Sequence, residues 1–294
     1  LLLGFISLAT MYSTDGGEIK FHTKSHFTKL AVFTSMMLVM SFINIKYWFS
    51  IGYLAYVVVV GLLIGTYLFG ITSSGSQRWI NLYFINLQPS ELMKIFIIVC
   101  LAKFFHRMKL ENVNSIYTIL TSLIIILLPM GLVIVQPDLG TAVLIAISGI
   151  AVLWFAGTNY KYFIYTILGF IISLPFVIAF LKPYQKLRVL TFLNPDKDPL
   201  GAGYQIIQSK IAVGSGGIFG KGFLKGTQSY LEFLPEKHTD FIFTLFSEEF
   251  GFVGSAILLV IYAIIIYRIV AIGASSRSYF AKIFCYSFGA AIFV

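Results

Sequence analysis

His238-Thr239-Asp240-Phe241-Ile242-Phe243 is where this chain changes solvent. The sixty residues before it are rich in Gly, Pro and polar groups. From Phe241 the sequence turns strongly apolar, in a run extending over 240–267. A spanning helix needs roughly 20 such residues. Asp240 thus stands at the mouth of a membrane helix, where a carboxylate is costly to place and marks a functional site by default.

The rest of the chain reads the same way. It is 58% hydrophobic and 11% charged, against about 25% charged in soluble domains, and its mean hydropathy is +0.89. The aromatic share of 17%, with 29 Phe, suits lipid-facing helices and interfacial belts. Apolar runs at 28–46, 51–71, 90–106, 116–136, 138–156, 160–181 and 240–267 are long enough to span. The chain also starts and stops inside apolar runs, so the expectation is one membrane domain over 1–294, truncated at both ends, with about nine helices. The fold class is all-α, a polytopic helix bundle.

Short-loop charge sets the orientation. With the amino end inside, the loops near 46–50, 103–115, 157–161 and 268–282 are cytoplasmic, and they carry Lys46, Lys103, Arg107, Lys109, Lys161, Arg268, Arg277 and Lys282. The short outer loops carry Lys20, Lys24, Lys29 and Arg78. This puts 182–239 outside as a long extracytoplasmic loop. The net charge of +9 is spread over both faces without a dense run, which argues against nucleic acid and fits anionic headgroups or a pyrophosphate. Cys100 and Cys285 lie in apolar runs and form no disulfide framework or metal spacing.

The 182–239 segment holds four of the eight prolines and eight glycines. Its length marks it as functional or disordered. Its apolar residues, among them Tyr204, Ile207, Ile211, Phe219 and Phe233, argue against disorder. Short interfacial helices are expected, for example over 204–213. Gly214 to Gly222 fails the Walker A pattern, because Gly222 follows Lys221 where Ser or Thr is needed. Its readings are tight packing of a re-entrant turn or a backbone nest for phosphate.

Several polar groups interrupt the apolar runs. Gln88-Pro89-Ser90-Glu91 opens a helix, with Pro89 at its start and Ser90 as a candidate cap. Glu91 and Lys94 are i,i+3 neighbours, either a structural pair or the lining of a polar cavity. Asp138 in Gln136-Pro137-Asp138 is a helix cap, or a second carboxylate facing the outer cavity of Asp240. Glu248 and Glu249 follow Asp240 by two turns. At about 100° per residue they lie about 80° and 180° from it, so they are expected to face different partners. Arg78-Trp79 reads as an interfacial anchor and His238 as an exposed loop residue. The four histidines make no metal-ligand set.

Read together, Gln77-Arg78-Trp79, Gln88-Pro89-Ser90-Glu91, Gln136-Pro137-Asp138-Leu139-Gly140-Thr141, Asp198-Pro199-Leu200-Gly201-Ala202-Gly203-Tyr204-Gln205, Gln208 to Gly217 and Leu231 to Phe241 resemble the SEDS family (shape, elongation, division and sporulation) over nearly the whole chain. The Ser209 to Gly217 stretch and Gly226-Thr227-Gln228 look like its rod-shape branch rather than its division branch. The resemblance implies a ten-helix glycosyltransferase of the bacterial cytoplasmic membrane. Such an enzyme polymerises lipid II, the undecaprenyl-pyrophosphate-linked disaccharide-pentapeptide, on the extracytoplasmic face, with a class B penicillin-binding protein as partner. The family's essential loop aspartate matches Asp240 and its loop glutamate Glu232. Its cavity residues match Glu91 and Lys94, and its Gln-Pro-Asp aspartate matches Asp138.

Such a transfer needs a base for the acceptor 4-hydroxyl and stabilisation of the leaving pyrophosphate. Asp240 suits the base, where the dipole of the following helix favours negative charge. It equally suits a divalent-metal ligand for Mg²⁺ or Mn²⁺. Two other classes compete: a lipid II flippase or transporter, and a scaffold that only recruits the penicillin-binding protein. The absence of repeat symmetry weighs against transport.

Overall fold

The computed structural model describes residues 1–73, 76–81, 86–180, 183–197, 203–227 and 238–294. Among them are eleven α-helices and three short strands: α1 (Leu2–Thr14), α2 (Phe21–Ser41), α3 (Ile45–Phe69), β1 (Ile71–Ser73), β2 (Ser76–Asn81), β3 (Asn86–Leu87), α4 (Pro89–Arg107), α5 (Ile116–Val135), α6 (Leu139–Phe155), α7 (Tyr160–Phe180), α8 (Pro183–Leu193), α9 (Tyr204–Ser215), α10 (Ile242–Ser275) and α11 (Tyr279–Phe293). α3, α5 and α10 are each long and apolar enough to cross a membrane; α1, α6, α11 and residues 160–173 of α7 are apolar but shorter. The chain divides into two compact units, 1–42 with 168–263, and 43–167 with 264–294.

The second unit holds a contiguous apolar core. α4 is its axis, with Met93, Ile97, Ile98, Leu101, Ala102 and Phe105 all buried. In α5, Ile119, Ser122, Ile126, Pro129 and Val133 recur at helical spacing on the buried side, while Leu120, Ile124, Leu127, Leu128 and Ile134 are exposed. α3 does the same, burying Val59, Leu63 and Thr66 and exposing Leu54, Val57, Val58 and Leu68. Whole faces of exposed Leu, Ile and Val are what water forbids and lipid accepts. Helix starts follow local chemistry: Asn44 caps α3 by accepting from the Lys46 amide at 3.0 Å, and Ser115 caps α5 by accepting from the Thr118 amide at 3.3 Å. The cap position of α4 falls on Gln88, with Pro89 in the first turn. Ser90, the expected cap, is buried inside the helix.

The helical fold expected is found, with one small addition, a short antiparallel ladder in the order β1-β2-β3, with Ile71 opposite Trp79 and Ile80 opposite Leu87. Arg78-Trp79 lies on β2, and the short ladder satisfies backbone groups that a bare loop would leave open.

In the first unit, α2 starts seven residues before the expected span, because His22, Lys24, His26 and Lys29 make its opening turns read polar. α9 covers the helix expected at 204–213. α10 is not one continuous helix. Gly251 sits at φ 65, ψ −163, separating residues 242–250 from a longer segment. That segment, 252–275, is about 36 Å long at 1.5 Å per residue, enough to span a bilayer.

The cause of the break is the Gly-rich loop after α9. Its amides Lys221 N and Gly222 N donate to the carbonyls of Glu248 and Glu249, both at 3.0 Å. In return, Phe252 N and Val253 N donate to the carbonyls of Gly217 and Ile218 at 2.9 and 3.1 Å. The opened helix turn is thus repaired by a neighbouring backbone. A Cβ on Gly216 or Gly220 would land on the backbone of 247–251, and one on Gly251 would land on that of 218–220. Only glycine permits this approach, and Gly220 and Gly251 also need positive φ. The loop therefore packs as a re-entrant turn. Two of the amides a phosphate nest would use are already bonded to helix carbonyls.

Candidate functional site

The first unit carries Asp240. It is exposed, in a turn two residues before α10 starts, and among the described residues no group hydrogen-bonds to its carboxylate. The expected position at the mouth of an apolar helix is thus what is found. Glu232 lies outside the described residues.

The turn is held by its neighbour. His238, expected as an exposed loop residue, is part-buried instead. Its Nδ1 is 3.0 Å from Thr14 Oγ1 and 3.9 Å from Asp15 Oδ1, and its ring stacks on His22 with centroids 4.1 Å apart. Asp15 is only 5% exposed. Its Oδ2 accepts from the Thr23 hydroxyl at 2.6 Å and the Thr23 amide at 2.9 Å.

Just beyond Asp240, both buried glutamates of α10 are engaged. Glu248 is fully buried, and its Oε1 accepts from Lys221 Nζ at 2.6 Å, Thr227 Oγ1 at 2.9 Å and Thr227 N at 3.0 Å. Glu249 accepts from the Ser13 hydroxyl through Oε1, while its buried Oε2 has no hydrogen-bond partner among the described residues. The two carboxylates thus have different hydrogen-bond partners, as helical geometry led one to expect, and Glu249 takes its partner from another helix. Both nevertheless lie near one loop: a Cβ on Gly226 would be 3.3 Å from Glu248 Oε2 and 3.3 Å from Glu249 Oε1. The loop curls across both side chains, so adjacent positions on one helix meet one segment.

The second unit carries the other expected site residues. Glu91 Oε2 and Lys94 Nζ are 2.8 Å apart and line a cavity of about 250 Å³, whose wall is otherwise mostly aliphatic, from α4, α6 and α11. Asp138 does not line that cavity. It caps α6, with Oδ1 accepting from Thr141 N at 3.3 Å and Oδ2 from Thr141 Oγ1 at 2.9 Å. Arg78 NH1 lies 3.3 Å from Asp138 Oδ2, so the residue read as an interfacial anchor is an ion-pair partner. Asp138 and the Glu91–Lys94 pair belong to one unit and Asp240 to the other.

Three groups escaped the sequence reading. Lys103 is buried, donates to the Ser50 carbonyl at 2.6 Å and sits 4.4 Å from the Tyr53 ring centre. Thr14 and Asp15 carry no local signal beyond being polar residues at the end of an apolar run. The metal question turns on donors. Among the described residues no three His, Cys, Asp or Glu side chains cluster. Among the described residues the donor set at Asp240 is one exposed carboxylate, which fits a cation whose remaining ligands are substrate phosphates and water rather than an all-protein cage.

The family model described as cell cycle protein, FtsW/RodA/SpoVE, matches residues 1–294. The chain belongs to the FtsW/RodA/SpoVE family. Among relatives, the peptidoglycan glycosyltransferase MrdB of Escherichia coli K12 is 39% identical over 96% of this chain and 76% of its own length. A probable peptidoglycan glycosyltransferase FtsW of Buchnera aphidicola (subspecies Baizongia pistaciae) is 33% identical over 98% of this chain and 78% of its own. The fold agrees with solved members. A chain of a peptidoglycan synthase complex that coordinates polymerization and crosslinking superposes with TM-score 0.81 at 23% identity, covering 99% of this chain and 82% of that one. The rod-shape-determining protein RodA of Thermus thermophilus gives TM-score 0.68 at 19% identity, covering 99% and 78%. The FtsW/RodA/SpoVE assignment makes this a multi-pass membrane protein, as the apolar helix faces require.

Proposed function

We propose that this chain is a peptidoglycan glycosyltransferase of the rod-shape branch, polymerising lipid II into glycan strands with a class B penicillin-binding protein as partner. One observation carries the reading. In a chain of this family, Asp240 is an exposed carboxylate with acceptor capacity left, held just before an apolar helix by a framework of buried polar groups.

In the reaction, the acceptor 4-hydroxyl loses its proton to the Asp240 carboxylate as its oxygen bonds to the donor's anomeric carbon. The bond from that carbon to the pyrophosphate oxygen breaks, and the lipid pyrophosphate departs with the electron pair. A positioned base of this kind contributes about 10²–10⁴-fold. Glu232 is the second carboxylate of the proposal. In the alternative role, as a ligand rather than the base, Asp240 would hold Mg²⁺ or Mn²⁺ together with the substrate's phosphates, and the cation would offset charge on the departing pyrophosphate. Glu91 and Lys94 offer a charged pair to the polar part of a substrate in an otherwise aliphatic cavity, and Asp138 fixes the start of α6. The catalytic face is extracytoplasmic, in keeping with the short-loop charge bias.

The test is lipid II polymerisation by the full-length protein with its class B partner, comparing wild type with Asp240→Asn, with and without EDTA. Glycan ladders from wild type and none from the folded variant support the enzyme, and loss in EDTA with recovery in Mg²⁺ or Mn²⁺ supports the cation. Ladders from a folded Asp240→Asn protein would remove Asp240 from the chemistry. No ladders from a folded wild type with an active partner would favour transport or scaffolding.

A further inference from the structure

The last turn of α1 ends in three consecutive polar residues, Ser13-Thr14-Asp15, which are 2%, 5% and 5% exposed. Burying three polar side chains in a row at the end of an apolar helix costs free energy unless each is bonded. Each has a partner on another segment. Ser13 donates to Glu249, nine residues after Asp240. Thr14 donates to the Met11 carbonyl at 2.7 Å within α1 and also meets His238, two residues before Asp240. Asp15 accepts twice from Thr23 of α2 and lies beside the His238 ring. The stack of His22 on His238 adds a fourth restraint from α2.

We propose that Ser13, Thr14 and Asp15 are positioning residues for Asp240, fixing its turn from both sides. This rests on the reading of Asp240 as the catalytic base and deepens it. Among the described residues no hydrogen-bond donor aims the Asp240 carboxylate. Its direction is set by the backbone at 238 and by the first segment of α10, and α1 holds both. Glu249 belongs to the segment before the Gly251 break, so the Ser13 bond grips the short helix that carries the turn rather than the long span beyond it. Thr14 and Asp15 together fix the His238 ring, the first contributing a hydroxyl and the second a carboxylate that Thr23 keeps in place. A helix far away in sequence thus acts as a splint along the catalytic turn. Loss of the splint leaves substrate binding intact and disorders the base, so it lowers kcat and spares KM.

The experiment is a double-mutant cycle on the full-length protein with its class B partner, reading kcat and KM for lipid II polymerisation. The variants are Thr14→Val, His238→Ala, the double variant and Thr14→Ser. The expected result is a kcat about tenfold lower in Thr14→Val, near the upper end for one neutral hydrogen bond, with KM unchanged. The double variant should be no slower than His238→Ala, because the two residues share one interaction, and Thr14→Ser should restore kcat. Unchanged kcat in a folded Thr14→Val, or losses that multiply in the double variant, would overturn the proposal. Should Thr14→Val not fold, His238→Asn and His238→Phe read the same bond. Asn keeps a group for the Thr14 hydroxyl while Phe keeps only the stack. Higher kcat in Asn upholds the splint and equal kcat overturns it. Asp240→Asn in the same assay separates the two ideas: ladders from that variant would defeat the catalytic reading itself, whatever Thr14 does.

Discussion

Replacing Gly220 by Ala tests the interlock between the Gly-rich loop and the broken helix. Gly220 has φ +80, and an added Cβ would fall on the Glu249 carbonyl group with Gly251 N 2.7 Å away. Two costs follow. A left-handed backbone costs a side-chain-bearing residue about 1–2 kcal/mol. Relief of the clash must separate the loop from the helix, breaking the 3.0 Å bonds from Lys221 N and Gly222 N to the helix carbonyls. Each buried polar group left unmade costs about 1–3 kcal/mol. The sum is about 3–8 kcal/mol, or a fall in the unfolding midpoint of at least roughly 6 °C by the usual size scaling. Thermal unfolding of the detergent-purified protein measures it. Gly222→Ala separates the two terms, because its φ of +101 has the same backbone strain but its Cβ meets only Lys225 Cδ at 3.5 Å, so its loss should stay near 1–2 kcal/mol. Gly61→Ala, with nothing within 4 Å of the new Cβ, should lose nothing. If Gly220→Ala melts with Gly222→Ala, the close approach contributes no stability and the account of the helix break is wrong.

Lys221→Met leaves the fully buried Glu248 with only its Thr227 donors among the described partners that bond Oε1, and should cost about 3 kcal/mol. Adding Glu248→Gln should recover most of that loss in the same unfolding assay, and a single variant as stable as wild type would show the pair to be idle. At Asp138, Asn keeps a capping side chain while losing the ion pair with a partly exposed Arg78, so Asp138→Asn should cost about 1 kcal/mol or less. Asp138→Ala loses the cap as well and should cost about 1 kcal/mol more; equal melting of the two variants would deny the cap. Lys94→Met removes half of a pair whose Glu91 side chain is 52% exposed, so stability should move by less than about 0.5 kcal/mol. A marked fall in polymerisation at that unchanged stability would make the cavity a substrate site, and unchanged activity would make the pair structural.

Helix positions were legible in the sequence because lipid demands long apolar runs, and the seven expected spans all fall on helices. The misplacements have local causes. α2 begins early because polar residues are tolerated in an opening turn, where hydropathy averages them out of the span. The break in α10 was not legible. Gly251-Phe252-Val253-Gly254 sits in an apolar run with ordinary helical composition, and the strand-like partner that opens it lies some thirty residues upstream. A pairing of two irregular backbones leaves no periodicity in either. The different partners expected for Glu248 and Glu249 are found, Lys221 and Thr227 for the first and Ser13 of α1 for the second. Helical angles say where side chains leave a helix, but not that one loop would also curl past both.

In the first unit local sequence marked Asp240 by its boundary position, and the carboxylates around it show why that residue differs from the others. Asp15, Glu248 and Glu249 are all buried, and each accepts hydrogen bonds from donors brought from other segments. A carboxylate that is buried and bonded within the fold is a structural tie, because no substrate proton can reach it. Asp240 is exposed and, among the described residues, bonded to none. The buried groups needed their distant partners to be seen before any role could be given to them: Thr14 and His238 are 224 positions apart. The exposed one needed only the change of solvent at its own position. In the proposed reaction its usefulness would depend on the others, since a carboxylate on a loose turn would face no particular direction. The proposed chemistry would then be divided between one residue that local sequence marks and a set of buried ties that only the folded chain assembles.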